Sequence, residues 1–354
     1  MSVILFFDPA CDRPYDSETL RREAMGGTEA TVVRVADALG ALVVQHNRVN
    51  ASGRYLPPRA DRAVTHVIVN RDSRALPQVR QLYPNARVHL WLHDRVRPRS
   101  KRARRIAADA AILRELAVKV ICVSDTQRHS VEAALRWMGV SDRVSAGTIY
   151  NPVDDDLQPD GSPVDERKLV FLSSPNKGLK FTLDAFRAVR RALPDMRLVV
   201  GNPGYKADVD ARLDGVEYLG PQPQQRIHAE ARTALCTFFP NFVIPETFGL
   251  VFAESMALGT PVLTHDCGAA LEVLRDPAQV LPLTAAKRLY EGLLGGCSPA
   301  WRSGPANFAA ALGLFDVYID RVRAWREGAR PVTGPDPRFR LAAVAQRWRE
   351  MLAT

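Results

Sequence analysis

Pro245-Glu246-Thr-Phe-Gly-Leu-Val-Phe-Ala-Glu254-Ser-Met-Ala-Leu-Gly-Thr-Pro-Val-Leu263 is the stretch on which the reading of this chain turns. It runs from a polar loop into an apolar helix, expected near Leu250–Leu258. A Gly-Thr-Pro break follows, then a short apolar strand, expected at Pro261–Thr264. Glu246 lies in the loop and Glu254 inside the second turn of the helix, with seven residues between them. Both carboxylates can line one pocket above the helix start, where they can accept hydrogen bonds from vicinal hydroxyls of a ribose or hexose. The amides of Gly249, Leu250 and Val251 open the helix and can hold phosphate oxygens. Taken alone, Glu254 is equally a surface helix residue and Glu246 a loop carboxylate.

The same helix–strand rhythm extends in both directions. In the first half, strands are expected at Val3–Phe7, Ala41–Val44, Thr65–Val69, Arg87–Leu92 and Lys119–Val123. Helices are expected at Thr28–Leu39, Ser73–Leu82, Ser100–Leu116 and Thr126–Trp137. In the second half, strands fall near Lys168–Phe171, Arg197–Val200, Val216–Leu219 and Leu235–Phe239. Helices there fall near Lys180–Leu193, Gln222–Ala231 and Ala269–Leu274. Short apolar runs alternating with amphipathic stretches predict parallel sheets wound on both faces. Asn151-Pro-Val-Asp-Asp-Asp-Leu-Gln-Pro-Asp-Gly-Ser-Pro163 is the clearest linker. The fold class is therefore α/β, with two Rossmann-like doubly wound parallel-sheet domains facing across a cleft. Residues 1–155 form the first domain, 156–163 the linker and 164–335 the second domain. The tail reads as helix over Phe308–Glu327, a Pro/Gly break at Arg330–Arg338, and helix over Phe339–Leu352. The segment 336–354 is expected to pack back on the first domain.

Composition limits the classes of function. The 354 residues are 46% hydrophobic and 25% charged, ordinary for globular domains and incompatible with disordered or fibrous chains. No run approaches the ~20 apolar residues of a membrane span. The opening apolar run, Val3 to Phe7, reads as a buried strand, not a signal peptide. Five cysteines without a Cys-x-x-Cys pair suit neither a zinc site nor a disulfide scaffold and fit a reducing cytosol. The net charge of +9 is carried wholly by residues 1–150. The densest part is Arg95-Val-Arg-Pro-Arg-Ser-Lys-Arg-Ala-Arg-Arg105, seven basic residues in eleven. It can face an anionic membrane surface or a phosphorylated substrate, or be a solvated loop and helix start. With no interleaved aromatic residue and no nucleic-acid motif around it, nucleic acid is not the expected partner. The following helix, with Ile106, Ala110, Ile112 and Leu113, can lie on lipid or turn these residues into the core.

Several nucleotide motifs are absent. There is no Gly-x-Gly-x-x-Gly after the first strand, no Gly-x-x-x-x-Gly-Lys-Ser/Thr and no Gly-x-Ser-x-Gly. Two other loops suit a diphosphate. Met25-Gly26-Gly27-Thr28-Glu29 precedes a helix and lets backbone approach a ligand, although Thr28 can equally be its N-cap. Phe171-Leu-Ser173-Ser174-Pro-Asn-Lys177-Gly-Leu179 carries a lysine from a strand end into a helix, where it can neutralise a leaving diphosphate or simply be solvated. His93 ends the strand Val88-His-Leu-Trp-Leu92 and is either a site residue or a satisfied structural histidine. For His265, beside Asp266, the structural reading is preferred. Asp154-Asp155-Asp156 offers an Asp-x-Asp metal motif, but its place in a proline-rich linker argues against one.

In the order and spacing of these segments the chain resembles the retaining GT-B glycosyltransferases of the large family 4 grouping, whose Glu-x7-Glu motif matches Glu246 and Glu254. The resemblance also covers Gly26–Glu29, His93, Val123-Ser124, Tyr150–Asp154, Lys177-Gly178, Leu219-Gly220 and Ala257–Val262. It implies transfer of a sugar from a nucleotide-sugar donor, UDP- or GDP-linked, with retention and without a metal or other cofactor. Glu254 would hold the ribose, and Glu246 the donor sugar. Lys177, with Ser173 and Ser174 nearby, would meet the diphosphate, assisted by Phe248, Gly249, Leu250 and Val251. Leu219 and Gly220 would border the base, Gly26 and Gly27 would close over the diphosphate, and His93 would sit near the transferred sugar. His93, Glu246 and Lys177 are the expected catalytic group. The implied acceptor is a glycan or lipid-linked molecule in cell-surface polysaccharide or lipopolysaccharide synthesis. The implied location is the cytoplasm, including the inner face of the membrane. A nucleotide-sugar-binding protein of the same fold without transferase activity, an epimerase or a non-catalytic binder, is the alternative. Two departures stand out: many relatives have an arginine where Ser173 and Ser174 lie, and some have arginine in place of Lys177. Lysine is a point charge, not a bidentate fork.

Overall fold

The computed structural model describes residues 2–202, 213–240, 244–283 and 313–353. The chain divides into two compact units. The first comprises residues 1–20, 27–155 and 337–354, and the second residues 21–26 and 156–336. Residues 21–26, Gly26 among them, thus group with the second unit, whereas the sequence reading gives them to the first domain.

The first unit contains β1 Ile4–Asp8, α1 Ser17–Arg22 (its last two residues group with the second unit), α2 Gly27–Leu39, β2 Leu42–Gln45, β3 Tyr55–Leu56, β4 His66–Asn70 and α3 Leu76–Leu82. β5 Arg87–Leu92, α4 Lys101–Ala108, α5 Ala110–Glu115, β6 Lys119–Cys122, α6 Asp125–Met138 and β7 Ser145–Thr148 follow. These seven strands are hydrogen-bonded in the order β3-β2-β1-β4-β5-β6-β7, all pairs parallel. Strands such as His66-Val-Ile-Val-Asn70 are buried throughout, because helices cover both faces of a parallel sheet. Side-chain alternation sends Leu5, Phe7, Val67, Val69, Leu90 and Leu92 to one face, in a core shared with α3, α4 and α6. Phe6 and Trp91 point to the other. There Trp348, on the helix α12 Leu341–Ala353, meets them at centroid distances of 5.6 and 4.9 Å. α12 packs along α2 and belongs to the first unit.

The second unit contains β8 Asp165–Leu172, α7 Leu179–Ala192, β9 Arg197–Asn202, β10 Val216–Pro221, α8 Gln224–Arg232, β11 Ala234–Phe238, α9 Leu250–Ala257, β12 Val262–His265, α10 Ala270–Leu274, β13 Val280–Leu281 and α11 Leu314–Ala324. Its described strands run β10-β9-β8-β11-β12-β13, again all parallel. In both units the order reverses beside the first strand, between β1 and β4 and between β8 and β11. Open parallel sheets of this kind bind ligands at the carboxyl ends of the strands on either side of such a point.

The structure corrects the sequence reading in several places. The expected helix Ser100–Leu116 is two, α4 and α5, broken at Asp109, whose carboxylate accepts from Ser73 Oγ at 2.5 Å. Ile106 and Leu113 are core residues, and Ala110 and Ile112 pack against that core, so this helical face is not free to lie on lipid. α2 starts at Gly27, which places Thr28 inside the first turn and not at the cap. Strands β3, β7 and β13 and helix α1 have no counterpart in the sequence reading. The tail helix expected from Phe308 begins outside the described residues, as do Cys297 and Trp301; its described part is α11. Cys11, Cys122, Cys236 and Cys267 are free thiols.

Candidate functional site

At the carboxyl end of β8 the chain makes a short 3-10 turn, Pro175–Lys177, then passes through Gly178 into α7. Ser173 and Ser174 are buried in this loop, and Ser174 Oγ donates to Asn176 Oδ1 at 2.5 Å. Lys177, at the end of the turn, directs its amine to Glu246. The Nζ atom lies 2.9 Å from both carboxylate oxygens, with the Glu246 side chain 8% and the Lys177 side chain 34% exposed. The ion pair joins residues 69 apart in sequence.

Glu246 is held by its backbone. It forms a parallel bridge with Gly268, and its carbonyl accepts the Ala269 N–H at 2.9 Å. Gly268 has φ +66°, and a Cβ there would strike the Glu246 carbonyl oxygen, so this close approach requires glycine. Three residues after Glu246, Gly249 takes φ +85° to start α9, and a Cβ on it would run into the Phe252 ring. Phe248 and Phe252 are buried, Phe252 edge-on to Phe239. These contacts fix the first turn of α9. The Phe252 amide already bonds the Gly249 carbonyl at 2.8 Å, while the amides of Leu250 and Val251, the two residues before it, have no acceptor within the helix. Glu254 stands half-buried on the next turn. A cation and a carboxylate thus pair at the carboxyl side of the second sheet, three residues before the positive end of α9. Leu219 and Gly220 lie on β10, the outer strand beside β9, where a register shift separates Tyr218 from Gly220.

His93 belongs to the first unit, one residue beyond β5. Its ring packs against Trp91 at 4.5 Å. Burial, reinforced by the nearby Arg71 guanidinium, pushes the imidazole down to about 3. The neighbouring Asp94 pairs with Arg71 (3.4 Å) and with Arg102. Burial pushes its carboxyl up, but these two guanidinium groups hold it below the ordinary carboxylate range. Arg71 also approaches Glu29 (3.8 Å), whose carboxyl burial raises. Arg71 has φ +67°, left-handed backbone for a non-glycine residue, and its N–H bonds the Trp91 carbonyl at 2.8 Å. Gly27 is exposed at the start of α2 and Gly26 half-buried before it.

Other candidates resolve into structural roles. His265 is fully buried, with Nε2 2.6 Å from Tyr318 Oη and Nδ1 3.2 Å from the Leu281 carbonyl. Burial pushes its imidazole down to about 4. Asp154 grips the buried Arg34, with Nε 2.9 Å from both carboxylate oxygens, and Asp155 accepts the Ala342 N–H at the start of α12. Among the described residues no group of three or more His, Cys, Asp or Glu side chains is placed to hold a metal ion, and no helix is long and apolar enough to cross a membrane. Arg95, Arg97, Arg99, Lys101, Arg104 and Arg105 are exposed.

Sequence reasoning missed Arg71, Asp94, Gln127 and Gly268. Gln127 carried a readable signal, since Ser124-x-x-Gln127 has capping-box spacing. Ser124 Oγ does accept the Gln127 N–H at 3.0 Å, but the glutamine side chain reaches past the cap to the Val123 N–H at 2.7 Å.

Comparison with known proteins bears on this geometry. Residues 166–293 match the family model described as glycosyl transferases group 1, which spans Lys177, Glu246 and Glu254. A phosphatidyl-myo-inositol mannosyltransferase of Mycobacterium leprae is 31% identical over 163 residues, covering 44% of this chain and 43% of that protein. The corresponding protein of Mycobacterium tuberculosis strain H37Rv is 31% identical over 180 residues, covering 47% of this chain and 46% of that one. The match spans less than half the length of these curated relatives. Among solved structures, an Anabaena protein in complex with UDP and glucose superposes with a TM-score of 0.62 at 15% identity, covering the whole of both chains. A sucrose-phosphate synthase from Thermosynechococcus elongatus gives 0.60 at 20% identity, again over both whole chains. Residues 166–293 are thus similar to the glycosyl transferases group 1 family, and the chain, with its two parallel-sheet Rossmann-like domains, has the GT-B fold of these solved structures.

Proposed function

We propose that this protein is a retaining glycosyltransferase that moves a sugar from a UDP- or GDP-sugar to a hydroxyl of a lipid-linked or glycan acceptor, in cell-surface polysaccharide or lipopolysaccharide synthesis. The observation that carries the reading is the Lys177–Glu246 pair beside the start of α9. In this reading Lys177 and the amides of Gly249, Leu250 and Val251 take the diphosphate, with Ser173, Ser174 and Phe248 shaping their loops. Glu246 takes sugar hydroxyls, Glu254 the ribose hydroxyls, and Leu219 and Gly220 border the base. The first unit binds the acceptor, and His93 stands near the reacting hydroxyl.

The bond from the sugar's anomeric carbon to the diphosphate oxygen breaks through an oxocarbenium-like state. The acceptor oxygen bonds to the same face of that carbon, and its proton passes to the departing phosphate oxygen. The protein contributes positioning and charge stabilisation. A lysine and helix amides supply the positive charge that the leaving diphosphate needs, so the reaction calls for no metal. His93, kept uncharged, offers a hydrogen bond and not a cation. The relatives named as phosphatidyl-myo-inositol mannosyltransferases favour a lipid-linked acceptor. The exposed cations of Arg95–Arg105 favour a cytoplasmic enzyme that visits an anionic membrane face.

A thermal-shift screen against UDP-, GDP- and ADP-sugars tests the donor half. A ligand at one hundred times its dissociation constant adds about 2.7 kcal/mol, a shift of several degrees. The expected result is a shift with one base that is lost in Lys177→Ala and Glu254→Ala. No shift with any donor overturns the reading. Conversion of donor without acceptor, followed by product analysis, would identify an epimerase instead.

A further inference from the structure

Gln127 is 2% exposed and satisfied on every side. Its Nε2 donates to the Leu92 carbonyl at 3.1 Å and to the Asp94 carbonyl at 2.8 Å. Its Oε1 accepts the Val123 N–H at 2.7 Å. One carboxamide therefore joins the carboxyl ends of β5 and β6, and its two acceptors are the carbonyls on either side of His93. All of its hydrogen-bonding capacity at Nε2 is spent on this clamp. Beside the clamp, Ser124 Oγ accepts the Gln127 N–H, and Ser130 Oγ donates to the Val96 carbonyl three residues beyond His93. Position 127 is also anchored from below, being in the first turn of α6, where the capped helix end limits its drift.

Resting on the transferase reading above, we propose that Gln127 is the positioning residue for His93: it fixes the backbone on both sides of the histidine and thereby sets where the imidazole stands relative to the reacting hydroxyl. Gln127 touches no substrate. Without it, the Leu92 and Asp94 carbonyls lose this donor, the buried Val123 N–H loses its acceptor, and the strand end is free to move. Displacements of about 1 Å cost of the order of 100-fold in rate when they misplace a reacting group. Asp94, on the same strand end, would move with His93, carrying its pairs to Arg71 and Arg102.

The test combines two measurements on the full chain. Gln127→Met removes all three bonds at similar volume; Gln127→Glu keeps the acceptor for Val123 and removes both donors. Ser130→Ala serves as a control for loss of a buried α6 bond outside the clamp. The first measurement is the 15N ring spectrum of selectively labelled histidine, with the His93 signal identified by its loss in His93→Gln. The second is steady-state sugar transfer from whichever donor gives the thermal shift. The expected result is a displaced His93 ring signal and a kcat lowered about 10- to 100-fold in both Gln127 variants, with donor KM within about twofold of wild type, because Lys177, Glu246 and Glu254 are carried by the second unit. Ser130→Ala should leave the His93 signal in place. An unmoved His93 signal in folded Gln127→Met overturns the proposal whatever the activity. A displaced signal with unchanged kcat also overturns it. If the wild type transfers no sugar while the signal moves, the transferase reading fails and the clamp stands as a structural assignment.

Discussion

The amine of Lys177 sits 2.9 Å from each carboxylate oxygen of Glu246, so the two charges that the proposed reaction assigns to different parts of the donor neutralise one another in the ligand-free protein. A nucleotide sugar replaces that one contact with two: phosphate oxygens for the lysine and hydroxyls for the glutamate. A bare nucleoside diphosphate satisfies only the lysine and leaves a largely buried carboxylate without its cation. Lys177→Ala should weaken nucleotide-sugar binding about ten- to hundredfold, the 1.5–3 kcal/mol of a hydrogen bond to a charged group. Glu246→Gln should weaken the nucleotide sugar but spare or strengthen the nucleoside diphosphate. Calorimetric titration of both ligands into both variants reads this directly, and equal losses for the two ligands in Glu246→Gln would refute the division of labour.

The backbone approach at Gly268 makes a second prediction. Its φ of +66° and the proximity of the Glu246 carbonyl leave no room for a methyl group. Gly268→Ala should cost about 1–3 kcal/mol of stability through strain. It should also abolish the donor-induced thermal shift by displacing Glu246. A variant that is destabilised yet keeps the full shift would show that the bridge is structural only.

Buried neutral histidines set the response to acid. His89 and His265 are pushed down to about 4 and His93 to about 3, each from an ordinary 6.5, chiefly by burial. Between those values the unfolded chain binds protons that the folded chain does not, so stability is complete above 6.5 and falls as the pH drops below it. The slope approaches about 1.4 kcal/mol per pH unit for each such group. Chemical denaturation at pH 7.5, 6 and 5 should show this loss, and His265→Gln should flatten it relative to its own value at pH 7.5. The same displacement predicts that the pH–rate profile has no limb near 6.5 from His93; such a limb, lost in His93→Gln, would contradict it.

The exposed cations before and along α4 make the membrane prediction. Arg104→Glu with Arg105→Glu should reduce co-sedimentation with phosphatidylserine vesicles at 0.1 M salt while leaving the donor thermal shift unchanged. Each basic residue near such a surface contributes about 1 kcal/mol, so the pair should lower the partition coefficient at least tenfold. Unchanged sedimentation would remove the membrane from the proposed function.

How much of the fold is legible in sequence depends on what each element is made of. β4, β5, β6, β8, β9 and β11 are apolar runs, and each expected boundary falls within three residues of the observed one. β7, Ser-Ala-Gly-Thr, has no apolar run; only its pairing with β6 makes it a strand. β3 and β13 have two residues each, too few for any periodicity. The break between α4 and α5 comes from a contact of Asp109 with Ser73, 36 residues earlier, invisible to a local pattern. In the candidate site, the loops single out Lys177 and Glu246, but nothing local shows their pairing across 69 residues. Arg71 escapes a sequence reading because nothing in Asn70-Arg-Asp-Ser marks a left-handed backbone at an arginine.

Trp348, buried between Phe6 and Trp91, has a consequence for the order of events during synthesis. The ribosome delivers β1, β4 and β5 long before it delivers α12. In the interval the aromatic face of the first sheet lacks its cover, while every described strand of the second sheet has already emerged. Replacing a buried tryptophan of this kind with alanine costs about 3–5 kcal/mol, a large share of a domain's stability. The domain translated second can therefore close while the one translated first is still waiting, and a nascent chain stalled before residue 341 would present that aromatic face to chaperones.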